Sequence, residues 1–365
     1  MLEKGKISNM QASILLVSGV LPTALITLPA ITCEAAGPDA WLSVFFASLV
    51  GMCVILVAVS LGLRFPGRTI IEYSETIAGR FLGKIIGLIF IWFFLHKSSV
   101  IVREFAEFII TVSMPETPLI VFVITILFTA AVAVRSGLEV IARINDMFFT
   151  IITISFITLV VLATKDLDLS VLTPVLAKGL IPPLKGAVPT AGWIGETITI
   201  AFLLPYMNRP EKGARAGIAA VIIISVFLTI ADIVAMATFG HAQTARLMFP
   251  TFMVARYISI AGLIERMESL ITLIWIGGVF VKISLYYYVA VLSTAQWAGL
   301  ADYRPITFPI GTIIGALSIL LFANIPELIT FLSKVWGPYS VPIEPGLPLI
   351  LLTAAWIRKK GGKPE

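Results

Sequence analysis

Runs of about 20 apolar residues recur along this chain of 365 residues, and that is the length at which a helix crosses the hydrocarbon of a bilayer. Hydrophobic residues make up 58% of the chain and charged ones only 13%, with a mean hydropathy of +1.01. A soluble domain carries about 25% charged residues. In hydrocarbon every backbone polar group has to be satisfied inside its own segment, so the runs are read as helices and the fold class as an all-α integral membrane protein.

The runs predict ten transmembrane helices near residues 12–33, 40–63, 82–112, 118–135, 144–163, 187–206, 215–239, 264–297, 306–324 and 336–357. Gly37-Pro38-Asp39, Pro66-Gly67, the prolines at 115 and 118, Pro182-Pro183, 208–210 and Pro305 mark the turns between them. The first run follows Lys4 and Lys6 but is long and has no convincing small-residue cleavage site, so it is read as a retained helix. Of the 26 Lys and Arg residues, most fall in loops on the side of the N-terminus, among them Arg64, Arg68, Arg135, Arg143, Arg209, Lys212, Arg215 and Arg358-Lys359-Lys360. That bias predicts both termini in the cytoplasm.

Other classes are disfavoured. Two cysteines, Cys33 and Cys53, and two separated histidines, His96 and His241, offer neither a disulfide framework nor a metal cluster. The chain carries no phosphate loop, dinucleotide fingerprint or Ser/His/Asp set on a plausible soluble face. Neither an enzyme, a cofactor nor a nucleic-acid partner is expected.

The first run contains Gly19, Pro22 and Pro29, and the sixth contains Pro189, Gly192, Gly195 and Glu196. Proline deletes a backbone donor and glycine weakens a helix, so both segments are candidates for a break near mid-membrane. Breaks in helices one and six are what two inverted five-helix repeats give, here about 7–165 and 185–360 within one permease-like domain, with a ligand held between them. The simpler alternative is that proline and glycine are common in membrane helices generally.

Ionisable side chains inside such runs are expensive and mark function by default. Lys282 stands alone in the run from Leu270 to Leu292, with Tyr286 one turn on and on the same face. Glu196, at the break in helix six, is the carboxylate expected to face Lys282, as a proton site or as a structural ion pair. Helix three carries His96, Lys97, Arg103, Glu104 and Glu107; helical spacing puts them near one side, so one flank is read as polar and lining an aqueous path, and with Glu196 they form the candidate ion or proton pathway. The alternative for Arg103 and Glu107 is a position at the membrane interface.

The GLIERMES stretch at 262–269, LITLP at 25–29, GPDAW at 37–41 and Leu203-Leu204-Pro205 together resemble the B-subunit family of spore nutrient germinant receptors, the endospore germination permeases. The resemblance covers Ile7 to Lys360. It implies a LeuT-type fold of the amino acid–polyamine–organocation superfamily, in the inner membrane of a bacterial endospore. It further implies a small nutrient ligand such as an amino acid, and action with an A-subunit and a lipoprotein C-subunit in triggering ion release. Carried over residue by residue, it implies ligand contacts at Pro22, Phe93, Ile194, Lys282 and Tyr286; Leu21, Thr23, Gly192 and Gly195, beside the two breaks, complete the candidate ligand site. Two positions depart from the better-known amino acid-responsive members. Pro22-Thr23-Ala24 stands where they carry Gly-x-Gly, and Lys282 where they carry a small hydroxyl residue, so the ligand is not read from the family. The rival reading is an autonomous proton-coupled amino acid transporter.

Overall fold

A computed structural model describes residues 2–3, 5–258 and 267–362. Lys4 and the 262–266 part of the GLIERMES stretch, Arg266 included, lie outside the described residues. Among the described residues, ten apolar helical segments follow in this order: helix one Asn9–Ala36, two Ala40–Arg64, three Arg80–Val112, four Leu119–Ser136, five Leu138–Ala163, six Ile181–Tyr206, seven Gly213–Phe239, eight Met267–Ala298, nine Thr307–Leu320 and ten Ile325–Ile357.

Helices six and eight form the centre. Of their most apolar windows 94% and 83% is buried, against 17% for helix five, whose outward side chains are left for lipid. Helix one packs along helices seven, six, eight and five, so it is walled in by protein on most sides. Helix six is broken as expected. It is α-helical over Ile181–Ile194, tightens to 3₁₀ over Gly195–Thr199, and resumes for one short α turn at Ile200–Leu203. The hydroxyls of Thr197 and Thr199 donate to the carbonyls of Ile194 and Glu196 at 2.8 and 2.7 Å, supplying donors where the ladder changes pitch.

Helix one behaves differently. It stays α-helical from Asn9 to Ala36 through both prolines, and no interruption of its backbone is seen. Its irregularity lies in which groups its carbonyls meet. Pro29 cannot donate to Leu25, and Thr251 does so instead. Gly19, Val20 and Pro22 offer their carbonyls to side chains of helix eight: Tyr286, Lys282 and Trp275.

Helix ten begins at Ile325, well before the expected 336, and carries π-helical stretches at Phe331–Val335 and Pro342–Gly346. The second surrounds two prolines, which have no N–H to give to an α ladder. Helix nine is short, 14 residues, or about 21 Å at 1.5 Å per residue. Before helix one, the N-terminal segment pairs with the end of helix six through Ile7 N–H to Tyr206 O and Asn208 N–H to Ile7 O, both 2.9 Å. Between helices seven and eight lie two short helices, His241–Thr244 and Pro250–Tyr257, which hydropathy alone does not announce.

Candidate functional site

The 3₁₀ stretch of helix six turns Glu196 into the middle of the bundle, where it is 2% exposed. Helix eight brings Lys282 to it: Nζ lies 3.0 Å from Glu196 Oε2. The same ammonium donates to Thr23 Oγ1 at 2.6 Å and reaches the Val20 carbonyl at 3.4 Å. One turn along, the Tyr286 hydroxyl is 2.9 Å from both the Gly19 carbonyl and Glu196 Oε2. One lysine and one tyrosine of helix eight thereby tie the glutamate of helix six to the backbone of helix one.

Helix three adds Lys97, whose Nζ lies 3.6 Å from Glu196 Oε1 and 3.7 Å from Glu344 Oε1 and sits 3.9 Å from the centre of the Tyr286 ring. Glu344 comes from the π-helical stretch of helix ten and is fully buried. It is absent from the sequence-based candidates. The signal was available, because Glu344 is a lone carboxylate in an apolar run, the same anomaly that exposed Lys282. Gly195 makes room for it: a Cβ there would stand 2.2 Å from Glu344 Oε2. Ion pairs this deep offset the desolvation of their own charges and add little net stability, but removing one member leaves another charge buried without its partner.

Of the other candidates, Glu104 reaches inward to Thr27 Oγ1 at 3.5 Å. Phe93 stacks against Trp336 and Tyr339, with Lys97 5.4 Å from its ring centre. Gly192 faces Trp336 and Ser340, and Leu21 is buried in the core. Pro22 turns its carbonyl to Trp275. Ile194 points away from the centre, onto Gly51 of helix two. The expectation that His96, Lys97, Arg103, Glu104 and Glu107 share one polar flank is corrected by rotation about helix three. His96 sits among Trp92, Phe331 and Tyr339. Arg103 pairs with Glu107 at 2.8 Å and donates to the carbonyls of Ser318 and Ile319 at 3.2 Å. There it supplies donors to the last carbonyls of helix nine.

Beside the ion pairs is a cavity of about 10 Å³, room for about one water, whose polar lining is Thr23, Lys97, Glu104 and Glu196 and whose walls include Trp193 and Trp336. It is smaller than the roughly 300–1,000 Å³ of pockets that hold drug-sized ligands. Lys282 is outside its lining, held by Thr23, Val20 and Glu196.

Comparison with known proteins agrees with this architecture. The family model described as spore germination protein matches residues 6–325. Spore germination protein YndE of Bacillus subtilis (strain 168) is 26% identical over 360 residues, covering 98% of each chain. Spore germination protein KB of the same organism is 25% identical over 370 residues, covering 100% of this chain and 98% of that protein. Among solved structures, MhsT in complex with L-phenylalanine superposes with a TM-score of 0.66 at 13% identity, over 97% of this chain and 99% of that one. A Na⁺-coupled sialic acid symporter does so with a TM-score of 0.60 at 11% identity, over 93% and 78%. The fold is LeuT-type.

Proposed function

Starting from the chain's membership of the spore germination protein family, we propose that it is the nutrient-sensing membrane subunit of a germinant receptor. It binds a small nutrient at the centre where helices one, three, six and eight meet. It acts with an A-subunit and a lipoprotein C-subunit in the inner membrane of the spore, both termini toward the core, to start ion release. The observation that carries the reading is the bond set of Lys282, which joins Thr23 and Val20 of helix one to Glu196 of helix six.

In this reading Lys282 is an internal cation. Its ammonium stands between the hydroxyl and carbonyl oxygens of helix one and a carboxylate, a set that would otherwise suit a small metal cation, so ligand binding needs no sodium. Lys97, which lines the cavity, is the cation a ligand carboxylate meets. A ligand that draws Lys97 off Glu196 and Glu344 changes what holds helix six against helix ten, and that differential contact lets binding shift the protein between two states.

The test is germination of spores carrying Lys282→Met at matched protein level, followed as loss of optical density over a nutrient panel. Loss of the response supports the reading; an unchanged response removes Lys282 from the mechanism. The rival, an autonomous proton-coupled amino acid transporter, predicts uptake of labelled amino acids into proteoliposomes that contain this chain alone. The proposed function predicts no such uptake.

A further inference from the structure

Helix ten ends in a cap that suits glycine and holds a lysine instead. The Lys360 N–H donates to the Ala355 carbonyl at 2.9 Å and the Lys359 N–H to the Trp356 carbonyl at 3.2 Å, the bond pair of a Schellman motif. Its left-handed position falls on Lys359, at φ 52°. A side chain there carries a backbone cost that glycine avoids, and such an outlier points to a use for the side chain.

The residues that follow are docked rather than loose. Gly361, at φ 80°, lies so close to the end of helix two that a Cβ would stand 2.8 Å from the Arg64 carbonyl oxygen, and the Gly362 N–H donates to that carbonyl at 3.2 Å. The Arg358 guanidinium donates to the Ile77 carbonyl at 2.8 Å, in the last turn of the short helix Ile70–Ala78, whose Thr76 hydroxyl accepts from Arg68 at 3.2 Å. Arg358, Lys359 and Lys360 are thereby fixed beside Arg64 and Arg68. None of these cations has an ion-pair partner within 4 Å among the described residues. The acids of the short helix are engaged elsewhere: Glu75 pairs with Lys84 at 2.9 Å and Glu72 accepts from the Thr69 N–H at 2.9 Å.

Apolar side chains border the cations. Trp356 and Ile357, directly before Arg358, are 58% and 82% exposed. At a membrane surface a tryptophan marks the headgroup level, so the cations after it stand among the phosphates of the bilayer. We propose that this corner, made by the ends of helices two and ten and the short helix Ile70–Ala78, binds the headgroup of an anionic phospholipid. Arginine presents a fork of donors to phosphate oxygens, and each further cation near the surface adds attraction. The acyl chains cover Trp356 and Ile357, from which a soluble anion would gain nothing.

The experiment is lipid binding to the delipidated full chain in a neutral detergent. Phosphatidylglycerol is the probe, phosphatidylcholine the zwitterionic control, and inorganic phosphate the headgroup charge without chains; bound lipid is counted by native mass spectrometry and affinity taken from a titration. Phosphatidylglycerol should bind about tenfold or more tightly than phosphatidylcholine, and inorganic phosphate at matched concentration should not displace it. Lys359→Gln with Lys360→Gln should weaken phosphatidylglycerol roughly thirtyfold, whereas Arg135→Gln with Arg304→Gln, the same charge removed at another corner, should leave it within about twofold. Lys359→Gly separates the strain from its use: without lipid it should raise the thermal unfolding midpoint, and it should weaken phosphatidylglycerol about fivefold. Equal binding of the two lipids, an equal loss in the control pair, or displacement by inorganic phosphate overturns the inference. So does a Lys359→Gly chain that binds phosphatidylglycerol as the parent does.

Discussion

Replacing Lys282 by methionine keeps the length and apolar stem of the side chain and removes its charge. At 3.0 Å from Glu196 Oε2, an effective dielectric of about 20 gives roughly 5.5 kcal/mol of Coulomb attraction; the Lys97 contact at 3.6 Å gives roughly 4.6 kcal/mol. Glu196 therefore loses about half of its compensation and keeps Lys97 and the Tyr286 hydroxyl. Part of the loss is returned because the ammonium no longer has to be desolvated. The net cost is expected at about 3 kcal/mol, the lower end of the range for breaking a buried pair. Glu196→Gln should cost a similar amount, since it leaves Lys282 with neutral partners only. Both changes together remove the pair, so the double variant should lose far less than the sum, with a coupling energy of about 2–3 kcal/mol. Equilibrium unfolding in mixed micelles with increasing dodecyl sulfate measures all four corners of this cycle. Additive losses would refute the idea that the two residues hold each other, and with it the role of the pair in joining helices one, six and eight.

Tyr286→Phe removes the hydroxyl from the Gly19 carbonyl and Glu196 Oε2 and should cost about 1–3 kcal/mol in the same assay, with helical content by circular dichroism unchanged. Gly195→Ala places a Cβ 2.2 Å from Glu344 Oε2; helix ten or the Glu344 side chain has to give way, at about 1–3 kcal/mol, and Glu344→Ala in the same chain should relieve it. Arg103→Lys keeps the charge but cannot serve Glu107 and two carbonyls of helix nine at once. It should cost about 1–2 kcal/mol of stability and leave ligand affinity unchanged, whereas a residue of the ligand or ion path would change affinity.

Much of this molecule is legible residue by residue, because the membrane imposes a cost that each segment meets alone. Apolar runs and their glycine and proline punctuation were enough for the ten apolar helical segments seen among the described residues. Lys282 and Glu196 were visible as charges in the wrong solvent, and the glycines and prolines of helix six announced its break, seen over Gly195–Thr199. The same proline rule overreached in helix one, where Thr251 and the donors of helix eight meet the carbonyls and the backbone stays helical from Asn9 to Ala36.

What the tertiary structure alone decided is direction and partnership. Residues 96 to 107 read as one polar flank, yet His96 goes to an aromatic cage, Lys97 and Glu104 to the centre, and Arg103 to helix nine. Glu344 joins Lys97 across a long stretch of chain because a π-helical stretch in helix ten and a glycine in helix six let them approach. A sequence states that a buried charge needs a partner, since the cost of desolvation belongs to the residue. Which partner it meets depends on how helices rotate and pack against one another, and that is a property of the whole bundle.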